Sequence, residues 1–254
     1  MCQYRPLVRA WIHHRNGQPV TESAYSAGRA LVDAGWEVRA FEALAKVEVR
    51  RDEPVIGGVP VVEDALQRLG VDPPDVEYPN ALRPALIDPN VRSTTMGWVR
   101  QHPEAWPLFV KPTSGRKEFG GTVIRSTTDL LPLTAIDDGL PVYVSRAAEM
   151  LGRVEWRAFI IDGRVRDVRP YRGRPDLRAP SLLWLQLLVD QWSSIPAGCT
   201  IDVVDLGTAE QPDWRVIECN DGYAIAGYGL ARRDLAELLV RRWSELVALP
   251  SLWD

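Results

Sequence analysis

The chain has 254 residues, of which 46% are hydrophobic and 25% charged, and it carries a formal net charge of -4. That balance belongs to a folded globular protein of one to three domains rather than a disordered chain, and its acidic sign argues against a protein whose main partner is nucleic acid. No run approaches the ~20 apolar residues of a membrane span, and the N-terminus lacks the order of a signal peptide; the expectation is a cytoplasmic protein with no membrane partner. Cys2, Cys199 and Cys219 are few, odd in number and without metal spacing, so neither a disulfide framework nor a zinc site is expected. His13, His14 and His102 form no ligand constellation, and no Ser–His or Cys–His relay is legible.

Taken in chain order, Pro6 to Ile12 reads as a first strand and Glu22 to Ala34 as an amphipathic helix, entered through Thr21 as N-cap and stopped by Gly35. Trp36 to Phe41 and Pro54 to Gly58 read as strands, and Pro60 to Leu69 as a helix with proline in its first turn and Gly70 after its last. This opening stretch has the pattern of a small α/β domain. Prolines at 73, 74, 79, 84 and 89 then break the periodicity, so residues 71–92 are expected to form a wrapped connection. Val91 to His102 is expected to be a helix.

From Leu108 the pattern turns to strands. Leu108 to Pro112 reads as a buried strand, a Gly-containing loop follows, and Thr122 to Arg125 returns as its hairpin partner. Lys111 and Lys117 stand here in a chain whose cations are otherwise almost all arginine, Lys46 being the remaining lysine. Loop glycines permit close approach of backbone N–H groups to phosphate oxygens, and the two lysines would add positive charge; a plain charged hairpin accounts for the same residues equally well. The P-loop pattern is absent.

Pro141 to Met150 opens with a strand, and the segments on either side of Asp162-Gly163 form a hairpin with a type I′ turn. Before that turn Glu155, Arg157 and Phe159 share one face, opposite Trp156, Ala158 and Ile160. The return strand carries Arg164, Arg166, Arg169 and Arg172, which suits either a solvated face or an electropositive surface for phosphate or carboxylate. Leu182 to Trp192 is expected to be helical. Thr200 to Gly207 and Trp214 to Asp221 read as adjacent antiparallel strands bearing Asp205 at the end of one, and Glu218 and Asn220 two residues apart on the other. Three hard oxygen ligands suit Mg²⁺, which keeps several waters and shares positions with phosphates; acidic residues of a hairpin pointing into water are the plain alternative. Arg233 to Leu249 has the Leu and Trp stripe of a helix packed on a sheet.

The order of these pieces resembles the ATP-grasp superfamily, in particular the clade named for two signature arginines and a lysine. The resemblance spans roughly Leu108 to Trp243 and rests on Phe109-Val110-Lys111-Pro112, Glu155-Trp156-Arg157, Ile217 to Tyr223, Gly227 to Leu230 and Arg242-Trp243. It implies an α+β fold in which two α+β lobes hold ATP between them, preceded by a small α/β domain. The expected boundaries are 1–90 for the N-terminal domain, 91–145 for the first lobe and 146–254 for the second.

The resemblance also implies roles. Lys111 matches the strand lysine that approaches the nucleotide phosphates, and the Ser114 to Gly121 loop, with Lys117, Gly120 and Gly121, matches the lid over the triphosphate. Val144, Ser145 and Arg146 match the hinge strand that meets adenine, with Arg146 where many relatives carry a second lysine, and Glu149 matches a ribose contact. Arg157 matches a phosphate-contacting arginine, while Asp205, Glu218 and Asn220 match the Mg²⁺ ligands. Arg169, Tyr171 and Arg172 are the expected contacts for an acceptor carboxylate. The implied activity is ATP- and Mg²⁺-dependent ligation of a small-molecule or peptide carboxylate to an amine, by way of an acyl phosphate, with a homodimer as one arrangement. Lys111 and Arg157 would be the catalytic cations. A kinase-like phosphotransferase and a nucleotide-binding module without turnover share the scaffold.

Overall fold

The computed structural model describes residues 8–114, 118–150, 152–173, 178–208 and 210–253. Its first strand, β1 (Arg9–Arg15), starts and ends later than the sequence pattern suggests. The helix α1 (Glu22–Asp33) is capped as expected: the Thr21 side chain accepts from the Ala24 amide, and Gly35 leaves the helix at φ +84. β2 (Gln18–Pro19) is a short antiparallel return, whereas β3 (Glu37–Phe41) and β4 (Val55–Ile56) both pair with β1 in parallel. The helix α2 (Val59–Arg68) follows β4.

The chain divides into two compact units, one comprising Met1–Leu82 with Arg153–Asp254, the other Arg83–Gly152. In the first, a second sheet is built from β9 (Glu155–Ile161), β10 (Arg164–Arg172), β11 (Gly198–Asp205) and β12 (Trp214–Asp221). Its order is β10-β9-β11-β12, and it is antiparallel throughout. The β9–β10 turn has Asp162 and Gly163 both at positive φ, the geometry expected of an Asp-Gly type I′ turn. Helix α4 (Leu182–Gln191) packs on this sheet through β10. Helix α5 (Arg232–Leu246) lies with α1 in one apolar core that also takes in Ala10 and Ile12 of β1 and Phe159 and Ile161 of β9. That shared core fastens the N-terminal strands and the C-terminal sheet into one body.

Two glycines let α5 approach the sheet. A Cβ on Gly198 would stand 2.4 Å from the Leu238 carbonyl oxygen, and one on Gly222 would stand 2.3 Å from the Gly198 carbonyl oxygen. Backbone sits against backbone there, and no side chain fits. Arg242 of α5 locks the same corner: its Nε donates to Asp221 Oδ1 at 2.7 Å, a second nitrogen donates to Asp221 Oδ2, and Nη1 reaches Glu245 at 2.7 Å. The segment expected to be a wrapped connection meets β12, where the Glu77 carbonyl accepts from the Cys219 amide at 2.9 Å.

The second unit is built on β5 (Arg92–Thr95), β6 (Leu108–Pro112), β7 (Thr122–Ile124) and β8 (Pro141–Arg146). They form a four-stranded antiparallel sheet of order β5-β8-β6-β7. Val91 to His102 is therefore not one helix. Arg92–Thr95 pairs with β8, and only Met96–Gln101 is helical (α3), started by the Thr95 side chain accepting from Trp98. The β-branched pair Thr94-Thr95 and a waiting edge on β8 override the helical reading. Val110, Ile124, Val142 and Val144 form the core of this unit with Met96 and Val99 of α3. Among the described residues no helix is long and apolar enough to cross a membrane.

Candidate active site

One face of the β10-β9-β11-β12 sheet gathers the polar residues. Asp202 of β11 stands opposite both Arg157 of β9 and Glu218 of β12, and Thr200 stands opposite Asn220. Because side chains alternate along strands, Glu155, Arg157, Thr200, Asp202, Glu218 and Asn220 all point to the same side. Arg157 forks onto Asp202, with Nε to Oδ1 and Nη2 to Oδ2 both at 2.7 Å. These are the short, paired bonds of a charge-assisted contact, and both side chains are buried, Asp202 completely. Asn220 Nδ2 also donates to Asp202 Oδ2, at 3.2 Å. Glu155 accepts from the Tyr171 hydroxyl at 2.6 Å and pairs with Arg172 at 3.2 Å.

Asp205 does not join this group. It is three residues beyond Asp202, on the opposite face of β11, in register with Trp214 at the hairpin end. Its Oδ1 accepts from the Gly207 and Asp213 amides, both at 2.8 Å, so it ties the turn. Arg153 completes the turn by donating to the carbonyls of Asp205, Leu206 and Gly207. The aspartate beside Glu218 and Asn220 is Asp202, a residue the sequence reading passed over. The signal was present: Glu218 lies four residues past the start of β12, so an antiparallel partner must lie well inside β11, not at its end.

The three residues expected to hold an acceptor are already engaged within the sheet. Arg169 stands opposite Arg157 and chelates Asp167, with Nε at 2.8 Å and Nη2 at 2.5 Å from Oδ2. Arg172 is mostly exposed and turns to Glu155. Tyr171 donates to Glu155, and its ring lies 5.1 Å from the Arg157 guanidinium carbon. Tyr228, a half-exposed ring, lies 5.2 Å from the same carbon and 5.4 Å from the Tyr171 ring.

Burial sets the electrostatics. It pushes the Asp202 carboxyl upward, with the Arg157 fork pulling the other way and the charges of Glu218 and Glu155 adding to the rise. Burial works against the Arg157 cation, but the Asp202 hydrogen bonds and charge outweigh it and hold the guanidinium above its ordinary value. Burial, the Asp202 charge and the bond to Glu155 all raise the Tyr171 phenol, which stays protonated and donates. Tyr78 is raised by burial and then by the Glu218 charge, which places it in that carboxylate's field.

The donor set suits a hard divalent cation. Asn220 spends its amide N–H on Asp202, leaving the amide oxygen as its remaining polar atom, beside the Glu218 carboxylate. Among the described residues no three His, Cys, Asp or Glu side chains gather as a self-sufficient metal cage. A site of one or two carboxylates that leaves positions for water and phosphate is the Mg²⁺ pattern. Thr200 Oγ1, buried on the same face, has no hydrogen-bond partner among the described residues.

In the second unit, Phe109 and Lys111 of β6 share a face with Tyr143 and Ser145 of β8, which stand opposite them in reverse order. Lys111 is buried. Gly121 lies over the same face: a Cβ there would meet the Phe109 ring at 2.5 Å, whereas one at Gly120 would meet nothing. Lys117 lies outside the described residues. Val144 is interior to the ladder, flanked by Arg92 and Val110, and its side chain is core. Ser145 and Arg146 extend past β5, and the Arg146 amide donates to Asp88 Oδ2 at 2.7 Å. Buried Asp88 also accepts from the Asn90 amide and so ties this strand end to the segment before β5. The Arg146 side chain is mostly exposed, and Glu149 is exposed beyond the strand.

A lysine-bearing antiparallel sheet and a second antiparallel sheet carrying Arg157, Asp202, Glu218 and Asn220 define the ATP-grasp class. The profile of an ATP-grasp domain, the second family of the clade named for two arginines and a lysine, matches residues 88–238, more than half of the chain, and the chain belongs to that family. A search of curated proteins returned no match. Solved structures of similar fold include a RimK domain ATP-grasp protein from Sphaerobacter thermophilus DSM 20745, with TM-score 0.57, 12% identity, and coverage of 91% of this chain and 98% of that one. A D-cycloserine synthetase matches with TM-score 0.59 and 16% identity over 92% and 99% of the two chains. D-alanine–D-alanine ligase from Bacillus anthracis matches with TM-score 0.53 and 13% identity over 94% and 98%.

Proposed function

We propose that the chain is an ATP- and Mg²⁺-dependent carboxylate–amine ligase, forming an amide or peptide bond on an amino acid, peptide or small acid. The observation that carries this reading is the convergence of Arg157, Asp202, Glu218 and Asn220 on one sheet face inside the family-matched region. Family membership supports it, and so does the company of the fold, which includes a D-alanine–D-alanine ligase solved as an ATP complex.

In this reading the substrate carboxylate attacks the γ-phosphorus of ATP, the bond to the β-phosphate breaks and ADP leaves, and the amine then displaces phosphate from the acyl phosphate with loss of a proton. Bound magnesium would neutralise charge on the phosphates. Glu218 and the Asn220 amide oxygen would hold it, and Asp202 would orient the neighbouring Asn220 and Arg157. Arg157 presents its outer N–H groups to an anion while its other edge is fixed on Asp202. Lys111 adds a compact positive charge. No nucleophilic side chain is required, because phosphoryl transfer asks chiefly for alignment and charge neutralisation.

The test is calorimetric titration with a non-hydrolysable ATP analogue, with and without Mg²⁺, in wild type, Glu218→Gln and Lys111→Ala. Micromolar binding strengthened by Mg²⁺ is expected, with the metal effect reduced about ten- to a hundredfold in Glu218→Gln and binding weakened in Lys111→Ala. Wild-type affinity in both variants would refute the assignment. Phosphate release that requires an amine separates ligase from phosphotransferase.

A further inference from the structure

The Arg157 guanidinium carbon and the rings of Tyr171 and Tyr228 form a nearly equilateral triangle of 5.1, 5.2 and 5.4 Å. The cation therefore rests across the seam of two adjoining rings while its Nε and Nη2 edge is forked on Asp202. A long arginine side chain loses orientation readily. Here one contact fixes its edge and two fix its plane. The fork on Asp202 uses Nε and Nη2, so Nη1 is not part of it.

Tyr228 occupies its place against local preference. The Leu230 amide donates to the Gly227 carbonyl at 2.8 Å, with Tyr228 at φ +44 and Gly229 at φ +85 between them. That is a type I′ turn, whose central positions favour Gly, Asn or Asp. The turn is itself pinned, since the Gly227 amide donates to Ser23 Oγ at 3.0 Å. A half-exposed aromatic side chain in the left-handed region has neither burial nor turn preference to explain it. Strained residues of this kind concentrate at functional sites. The ring adjoins Arg157 and Tyr171.

We propose that Tyr171 and Tyr228 are positioning residues that set the plane of the Arg157 guanidinium, and that Tyr171 couples this plane to Glu155 through its hydroxyl. The catalytic consequence rests on the ligase reading above; the clamp itself does not. Glycine accepts the turn without strain, so Tyr228→Gly removes the ring without threatening the fold, and Tyr228→Phe and Tyr171→Phe keep both rings.

The experiment follows the Arg157 side-chain Nε–H signal by ¹⁵N-correlated NMR, assigned through its disappearance in Arg157→Lys, together with steady-state hydrolysis of Mg-ATP. The wild-type signal is expected to be ring-shifted and slow to exchange with water. Tyr228→Gly should move it toward the ordinary arginine position and lower kcat about fivefold or more, the scale of a partly desolvated cation–π contact, with KM for ATP within about twofold. Both phenylalanine variants should retain the shift, and Tyr228→Phe should retain kcat. An unmoved Nε–H signal in Tyr228→Gly overturns the clamp. A moved signal with unchanged kcat, or with a rise in KM alone, overturns its positioning role. If wild type neither binds nor hydrolyses Mg-ATP, the ligase reading fails while the Nε–H signal still decides the clamp.

Discussion

Replacing Arg157 by methionine keeps most of the side-chain volume and removes the cation forked on Asp202. The carboxylate it leaves behind is 0% exposed, so water cannot take over the two 2.7 Å bonds. Breaking a buried pair by removing one partner costs about 3–5 kcal/mol, mostly as the penalty of the stranded charge. Two charge-assisted hydrogen bonds at about 1.5–3 kcal/mol each arrive at the same range. Arg157→Met should therefore lose about 3–5 kcal/mol in urea unfolding followed by tryptophan fluorescence. The double variant Arg157→Met/Asp202→Asn, which also removes the charge, should recover most of it. Burial already pushes Asp202 upward, and without Arg157 the largest opposing contribution is gone. The folded variant then binds a proton that the unfolded chain releases near the ordinary Asp value, so its stability should fall as pH rises above about 4. A single variant within about 1 kcal/mol of wild type, or a double variant less stable than the single, would refute the reasoning.

Two further predictions follow from the same sheet. Asp205→Ala should cost about 1–2 kcal/mol, because the turn amides of Gly207 and Asp213 lose their acceptor, yet leave Mg²⁺-dependent binding of the ATP analogue unchanged; a metal-specific loss of binding would return Asp205 to the site. Gly222→Ala should destabilise by about 1–3 kcal/mol, since its Cβ would meet the Gly198 carbonyl at 2.3 Å and the Leu238 side chain at 2.7 Å; a thermal melt equal to wild type would show that α5 can move away.

Local signals placed most elements, and their reasons are short-range. Thr21 could be read as a cap because its oxygen serves an amide three residues on. Asp162-Gly163 could be read as a turn because few other pairs accept two left-handed residues. The stretch from Val91 to His102 was misread because pairing with β8, a strand some fifty residues later, decides that Arg92–Thr95 is extended. Periodicity carries no information about such a partner.

The candidate site divides along the same line. The sequence by itself placed Glu218 and Asn220 on one face of a strand, because alternate residues of a strand face the same way, and Arg157 joined them through the family resemblance. Only the tertiary structure decided which aspartate joins them. Asp202 pairs with Glu218, whereas Asp205, three residues on and on the opposite face of β11, pairs with Trp214 at the hairpin end, so Asp202 enters the site and Asp205 closes the turn. The two tyrosines against Arg157 likewise come from a strand bulge after Pro170 and a turn before α5. Register and loop closure are properties of paired segments, and no single segment encodes them.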